Sequence, residues 1–165
     1  NKGKGYAVRR GILNSSGEKV LFIDADGSIV PEEIPKMIEK LEKYDVVIGD
    51  RYSKESHIEQ PSHRIITGTV FSKIANLIFP INTVDTLCGF KGFKRDAADK
   101  LFKELISEGW VFDVELIYRA QKNNYTIYKL PLKWVHKKGT KMKFSAPIKM
   151  VWDLTKLRFK MKYGK

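Results

Sequence analysis

The sequence predicts an α/β fold with a parallel sheet, and three observations lead there. Val20–Ile23 is an apolar run of strand length, Ile34, Met37, Ile38 and Leu41 recur at helical spacing, and Asp45–Gly49 is a second apolar run. A strand, a helix and a strand in that order imply parallel strands joined by a right-handed crossover. In such sheets ligands gather beyond the carboxyl ends of the strands, and the first strand ends there in Asp24-Ala-Asp-Gly27.

The remaining elements follow in chain order. Gly5 to about Leu13 reads as a helix, and Ser15-Ser-Gly17 turns into the first strand. The helix after Pro31 has Glu32 and Glu33 in its first turn and Lys40 and Lys43 in its last, matching the helix dipole. Asp50 to Ser62 is polar and turn-like. An apolar helix follows from about Arg64 to Phe79, with Val70, Phe71, Ile74, Leu77 and Ile78 forming a face for the core or, in part, for lipid. Arg95 to about Ser107 is a helix burying Ala98, Leu101, Phe102, Leu105 and Ile106, and Val114 to Lys122 is another. Tyr125 to Val135 reads as an edge strand, because Pro131 cannot donate to a ladder. After Ser145 comes an amphipathic helix: Lys149, Asp153, Lys156 and Lys160 share one face, with Ile148, Val151, Trp152, Leu154, Leu157 and Phe159 over the rest.

With 165 residues the chain suits one domain, divided here into a body, 1–144, and a basic amphipathic juxtamembrane helix, 145–165. The net charge of +12 is uneven: residues 129–165 hold 12 Lys/Arg against the single Asp153, while residues 1–128 are nearly balanced. Such a tail suits an anionic membrane or a phosphate-rich ligand, and its Trp and Phe suit an in-plane membrane anchor; packing on its own domain is the alternative. Nucleic acid is not expected as a partner, since no helix-turn-helix or aromatic-basic sheet pattern accompanies the lysines. One cysteine, Cys88, implies a reducing compartment and a small buried hydrophobe. No apolar run is long enough to span a bilayer. Asn1-Lys-Gly-Lys-Gly5 leads straight into a helix, so the first strands of a doubly wound fold are expected to be missing.

Asp24 and Asp26 are hard oxygen donors one residue apart, which suggests a divalent cation and a phosphate-bearing substrate. Asp-x-Asp-Gly also suits a plain turn. The string Phe22–Gly27 resembles haloacid dehalogenase phosphatases too, with Asp24 as nucleophile and Asp26 as acid/base, and Val47–Arg51 imitates their late acidic motif. That fold needs a long stretch between the two motifs, whereas one helix intervenes here.

Later segments narrow the reading: Val84–Phe93, Gly109–Leu116, Leu130–Trp134 and Lys138-Gly-Thr-Lys141. In this order after Asp24-Ala-Asp26 and Gly49-Asp-Arg51, they resemble the family 2 inverting glycosyltransferases, most closely the dolichyl-phosphate β-glucosyltransferases. The resemblance runs from Asn1 to about Lys160. It implies a GT-A fold, a mixed and mostly parallel sheet flanked by helices. It implies transfer of a hexose, glucose from UDP-glucose, to dolichyl or another polyprenyl phosphate, with GDP-mannose and the mannosyl branch as the alternative. A basic module binding membrane or nucleic acid without catalysis is the non-enzymatic alternative. The expected location is the cytoplasmic face of a membrane, of the endoplasmic reticulum in a eukaryote or the plasma membrane in a prokaryote.

By resemblance, Asp24 and Asp26 hold Mg²⁺ or Mn²⁺ on the donor diphosphate, and Ser28 falls at a third-ligand position. Lys4 and Gly5 lie in the glycine-bearing segment before that strand and are assigned to the substrate. Arg51 matches a residue at the sugar and phosphate side, with Asp50 replacing the serine of many relatives. Arg64 and Lys141 match basic positions near the acceptor phosphate, and Asp85 lies in the acceptor-side motif. Asp26, Asp85 and Arg51 are the catalytic candidates. An acceptor phosphate is already anionic, so the chemistry requires charge neutralisation of the leaving diphosphate and steering of two anions more than a strong base. Asp85, Asp113 and Glu115 also suit helix or turn caps, Trp110, Phe112 and Trp134 suit the core, and His57, His63 and His136 suit the surface.

Overall fold

The computed structural model describes residues 1–135 and 146–163. A four-stranded sheet is built from β1 (Lys19–Ile23), β2 (Val46–Asp50), β4 (Phe90–Lys94) and β5 (Ile127–Pro131), in the order β1-β4-β2-β5. β1 and β2 are each antiparallel to β4, and β2 is parallel to β5. Three strands therefore run one way and one runs against them, a mixed sheet as expected, though two of its three ladders are antiparallel because β4 lies between β1 and β2. β5 is one edge among the described strands, and its pairing ends where Pro131 meets Asp50. The short β3 (His57–Glu59) and β6 (Lys133–Val135) pair as a second, two-stranded sheet.

β4 was not among the expected strands, and it separates β1 from β2 so that the two crossover partners are not neighbours. Its sequence, Phe-Lys-Gly-Phe-Lys, carries a lysine that is buried in the fold. β3 also lies in the stretch read as turn-like. The expected helices otherwise appear as α1 (Lys4–Leu13), α2 (Glu33–Lys43), α3 (Ser62–Ile78), α4 (Arg95–Lys103), α5 (Phe112–Lys122) and α6 (Ala146–Tyr163). α4 stops short of Ser107 because the next backbone donors are taken elsewhere: the Ile106 and Ser107 N–H groups donate to the Glu115 carboxylate at 2.9 and 2.8 Å.

Strand alternation divides the core into two layers. Val46 and Ile48 of β2 enter a cluster with Phe71, Phe79, Phe93, Leu101, Phe102, Phe112 and Leu116, whereas Val47 faces Met37 and Leu41 of α2 together with Phe90 and Leu130. Gly92 allows α2 to lie close on the sheet, since a Cβ there would come within 2.8 Å of Met37 Sδ.

α6 is partitioned differently from the single apolar side expected of it. Met150, Leu154 and Leu157, at i, i+4 and i+7, are buried in the larger cluster, while Ile148, Trp152, Phe159 and Tyr163 are exposed. Arg158 fastens the inner face, donating to the Tyr118 hydroxyl at 3.0 Å and stacking over Phe79 and Tyr118. On α3, Phe71 and Ala75 are buried, but Ile66, Val70 and Leu77, also at i, i+4 and i+11, face solvent. No described helix is long and apolar enough to cross a membrane.

Leu154→Ala is expected to cost about 2–5 kcal/mol in urea unfolding, the range for truncating a buried leucine. Trp152→Ala is expected to cost about 0.5 kcal/mol or less, as for an exposed position.

Candidate active site

One antiparallel strand brings three loops to the same end of the sheet. β1 and β2 exit there into Asp24–Asp26 and Arg51, and β4, running oppositely, is entered there from Asp85–Gly89. The starts of α1 and α5 add Lys4 and Asp113 to that end.

The Asp24 N–H donates to the Gly89 carbonyl at 2.8 Å, and the Asp24 carboxylate occupies the space that a Cβ on residue 89 would need. Lys4 Nζ is 2.7 Å from Asp24 Oδ1 and lies 5.4 and 5.7 Å from the ring centres of Trp110 and Phe112. Burial acts to lower the Lys4 pKa, but the charges of Asp113 and Asp24 outweigh it and hold the ammonium above its ordinary value. Gly5 is buried, and a Cβ there would come within 2.8 Å of Phe112 Cβ. Its observed role is to let α1 approach α5, which fixes Lys4.

Asp26 is exposed, and its Oδ1 accepts the Ser28 N–H at 2.9 Å across Gly27, whose φ is +69°. The Ser28 hydroxyl is buried and lacks a hydrogen-bond partner among the described residues. No described cluster of three His, Cys, Asp or Glu side chains forms a self-contained metal cage. By donor chemistry the two carboxylates of this loop nevertheless suit a hard cation of the kind that completes its shell with water and phosphate oxygens.

Arg51 and Asp85, both catalytic candidates, are bound to each other. The Arg51 N–H, Nε and Nη2 all donate to the Asp85 carboxylate at 2.8 Å, and the guanidinium lies over the rings of Trp134 and Tyr52. Burial disfavours the guanidinium charge, but Asp85 more than compensates and raises the Arg51 pKa. Asp85 is 1% exposed, so it serves to orient Arg51. Asp50 accepts the Tyr52 N–H, and burial raises its carboxyl pKa. Arg64 lies in α3, and Lys141 lies outside the described residues, as does His136.

Asp113 sits in the first turn of α5 but does not cap it. Its Oδ1 is 2.6 Å from Lys91 Nζ, which also donates to the Cys88 carbonyl at 2.5 Å. Burial raises the Asp113 carboxyl pKa against the pull of Lys91 and Lys4. Glu115 is likewise buried, tied to the 106–107 backbone and to Arg119. Phe112 and Trp134 are buried as expected, whereas Trp110 is 43% exposed beside Lys4. Cys88 is buried, and burial pushes its thiol up to about 12. His57 is on the surface. Lys91 and Gly89 were not singled out by the sequence; the available signal was a lysine set between Phe90 and Gly92, within a run of two glycines and two phenylalanines.

A family model described as glycosyl transferase family 2 matches residues 1–102. The chain is similar to dolichyl-phosphate beta-glucosyltransferases of Dictyostelium discoideum (36% identical, covering 99% of this chain and 53% of the relative) and Saccharomyces cerevisiae (36%, covering 96% and 52%). The Homo sapiens enzyme of the same name is 33% identical, covering 99% of this chain and 54% of its own. The chain thus spans about half the length of the curated relatives it matches. A crystal structure of glucosyl-3-phosphoglycerate synthase from Mycobacterium tuberculosis, in complex with Mn²⁺, UDP and phosphoglyceric acid, superposes with a TM-score of 0.68 at 17% identity, covering 99% of this chain and 55% of that one. At that identity the likeness shows the shared fold, the GT-A arrangement expected from the sequence.

Asp85→Ala is expected to destabilise the protein by about 3–5 kcal/mol in urea unfolding, because it strands a largely buried guanidinium. Gly89→Ala is expected to weaken Mn²⁺ binding about tenfold or more in an electron paramagnetic resonance titration, because the added methyl displaces the Asp24 carboxylate.

Proposed function

The chain belongs to glycosyl transferase family 2, and from that premise we propose that it is the catalytic part of an enzyme that transfers glucose from UDP-glucose to dolichyl or a related polyprenyl phosphate with inversion. The observation that carries this reading is the end of β1, where Asp24 meets the ammonium of Lys4 and Asp26 follows in the same loop. Identities of 33–36% over nearly the whole chain to dolichyl-phosphate beta-glucosyltransferases support the choice of sugar and acceptor.

Asp24 and Asp26, with Ser28 as a further oxygen donor, would hold Mg²⁺ or Mn²⁺, which supplies neutralisation of the departing diphosphate. Lys4 adds a cation from the protein on the same side, partly shielded from water by Trp110 and Phe112, where charge interactions are stronger than in bulk solvent. Arg51 supplies a second fixed cation. Because Asp85 and Trp134 hold its guanidinium, it orients an anion without paying the entropy of ordering a free arginine. Arg64 and Lys141 are assigned to the acceptor phosphate. That phosphate is an anionic nucleophile, so no side chain is required to deprotonate it, and two anions are brought together against their repulsion by these cations.

We infer also that the enzyme works on the cytoplasmic face of a membrane. The exposed row Ile148, Trp152, Phe159 and Tyr163 on α6 adjoins Lys149, Lys156 and Lys160, and α3 exposes Ile66, Val70 and Leu77. An apolar row flanked by lysines is the pattern of a helix lying in an anionic interface, each lysine contributing about 1 kcal/mol.

The test is transfer of labelled sugar from a panel of UDP- and GDP-sugars to a short polyprenyl phosphate by the intact protein. UDP-glucose is expected to be preferred, and Asp26→Ala to lower the rate about a hundredfold or more. A preference for GDP-mannose, or activity insensitive to Asp26→Ala, contradicts the assignment. In flotation with anionic vesicles, Trp152→Glu/Phe159→Glu is expected to abolish binding of this chain while leaving its unfolding transition in place.

A further inference from the structure

Lys91 is fully buried on the central strand β4, where a core position ordinarily takes an apolar residue. Its ammonium is satisfied by Asp113 Oδ1 at 2.6 Å and the Cys88 carbonyl at 2.5 Å. Stability alone does not account for this pair, since apolar side chains of the same size would serve a core equally well or better. Asp113, 2% exposed, directly follows Phe112, whose ring centre lies 5.7 Å from Lys4 Nζ, and Lys4 in turn meets Asp24 at 2.7 Å. Four charges of alternating sign, Lys91, Asp113, Lys4 and Asp24, thus run from the buried middle of the sheet to its open end.

We propose that Lys91 and Asp113 are positioning residues for Lys4. Lys91 holds the Asp113 carboxylate in place, and that carboxylate keeps the Lys4 ammonium balanced at the sheet end when Asp24 commits its charge to a cation. Lys4 is then free to meet the anionic diphosphate of the donor. Of the carboxylates acting on Lys4, Asp113 is the one that does not face the open site, so it is the one able to keep this role with donor bound. Asp113 works through Lys4 and takes no proton from the acceptor. The role rests on the glycosyltransferase reading above.

The test uses Lys91→Met/Asp113→Asn in the intact protein, which removes both buried charges and nearly preserves side-chain size. A melting temperature within about 3 °C of wild type is expected. The donor KM is expected to rise about tenfold or more with kcat within about threefold, and the acidic limb of the pH–rate profile to stay in place. Calorimetry with Mn²⁺ and UDP is expected to show a matching loss of affinity. Lys4→Gln is expected to produce the same loss, and the triple variant no further loss, because all three substitutions act through one ammonium. Wild-type donor KM and calorimetric affinity in the double variant overturn the proposal. So does disappearance of the acidic limb, which identifies Asp113 as a base. Should the double variant not fold, Lys4→Gln alone decides, and a wild-type donor KM in it overturns the proposal. Absence of any transfer by the unmodified protein defeats the glycosyltransferase reading instead, and the calorimetric comparison then still decides whether Lys91 and Asp113 govern nucleotide binding.

Discussion

The Asp24 carboxylate lies in the space that a side chain on residue 89 would occupy, and much of the site depends on that fit. The fit exists because β4 runs against its neighbours. A parallel strand in that place would be entered from the opposite end of the sheet, and the Asp85–Gly89 loop would lie far from Asp24. With β4 reversed, one loop holds Arg51 through Asp85, accepts Lys91 on the Cys88 carbonyl and accepts the Asp24 N–H on the Gly89 carbonyl. The Lys4–Asp24 pair and the Arg51–Asp85 pair are therefore fixed by the same few residues.

The fold was legible wherever one periodicity dominated. β1, β2 and α2 could be read because Val20–Ile23 and Val46–Gly49 are short apolar runs and because Met37 and Leu41 recur on one helical face. Pro131 correctly marked β5 as an edge. β4 was hidden because its lysine and glycine both argue against a central strand. Lys91 is tolerated through Asp113, some twenty positions later, together with the Cys88 carbonyl, and Gly92 is required by the approach of α2. Such dependence on distant partners leaves no local mark in a sequence. The ends of α4 and the inner face of α6 escaped for the same reason, being set by Glu115 and by the packing of Leu154 and Leu157.

The site was legible in part. Two aspartates at the end of an apolar strand are a local pattern, and the structure brings Lys4 to them. Arg51 and Asp85 were each legible as functional candidates, but the bidentate bond between them was not, so their interdependence appears only in three dimensions. Trp110 was read as core and is half exposed beside Lys4, a choice dictated by where α5 begins. The apolar residues of α6 were visible as a set, yet their division between the core and solvent depends on which face meets α3 and α5.

Cys88 stands at the centre of the loop that organises this corner, and its thiol, enclosed and pushed up to about 12, is scarcely ionised near neutrality. Oxidants and alkylating agents attack thiolates, so the folded protein withholds its only sulfhydryl from them. Cys88 is packed among Val47, Phe90, Leu132 and Trp134, so a reagent reaches it only when that packing opens. This corner is accordingly shielded from thiol-directed damage for as long as it stays assembled, and becomes vulnerable at the moment it comes apart.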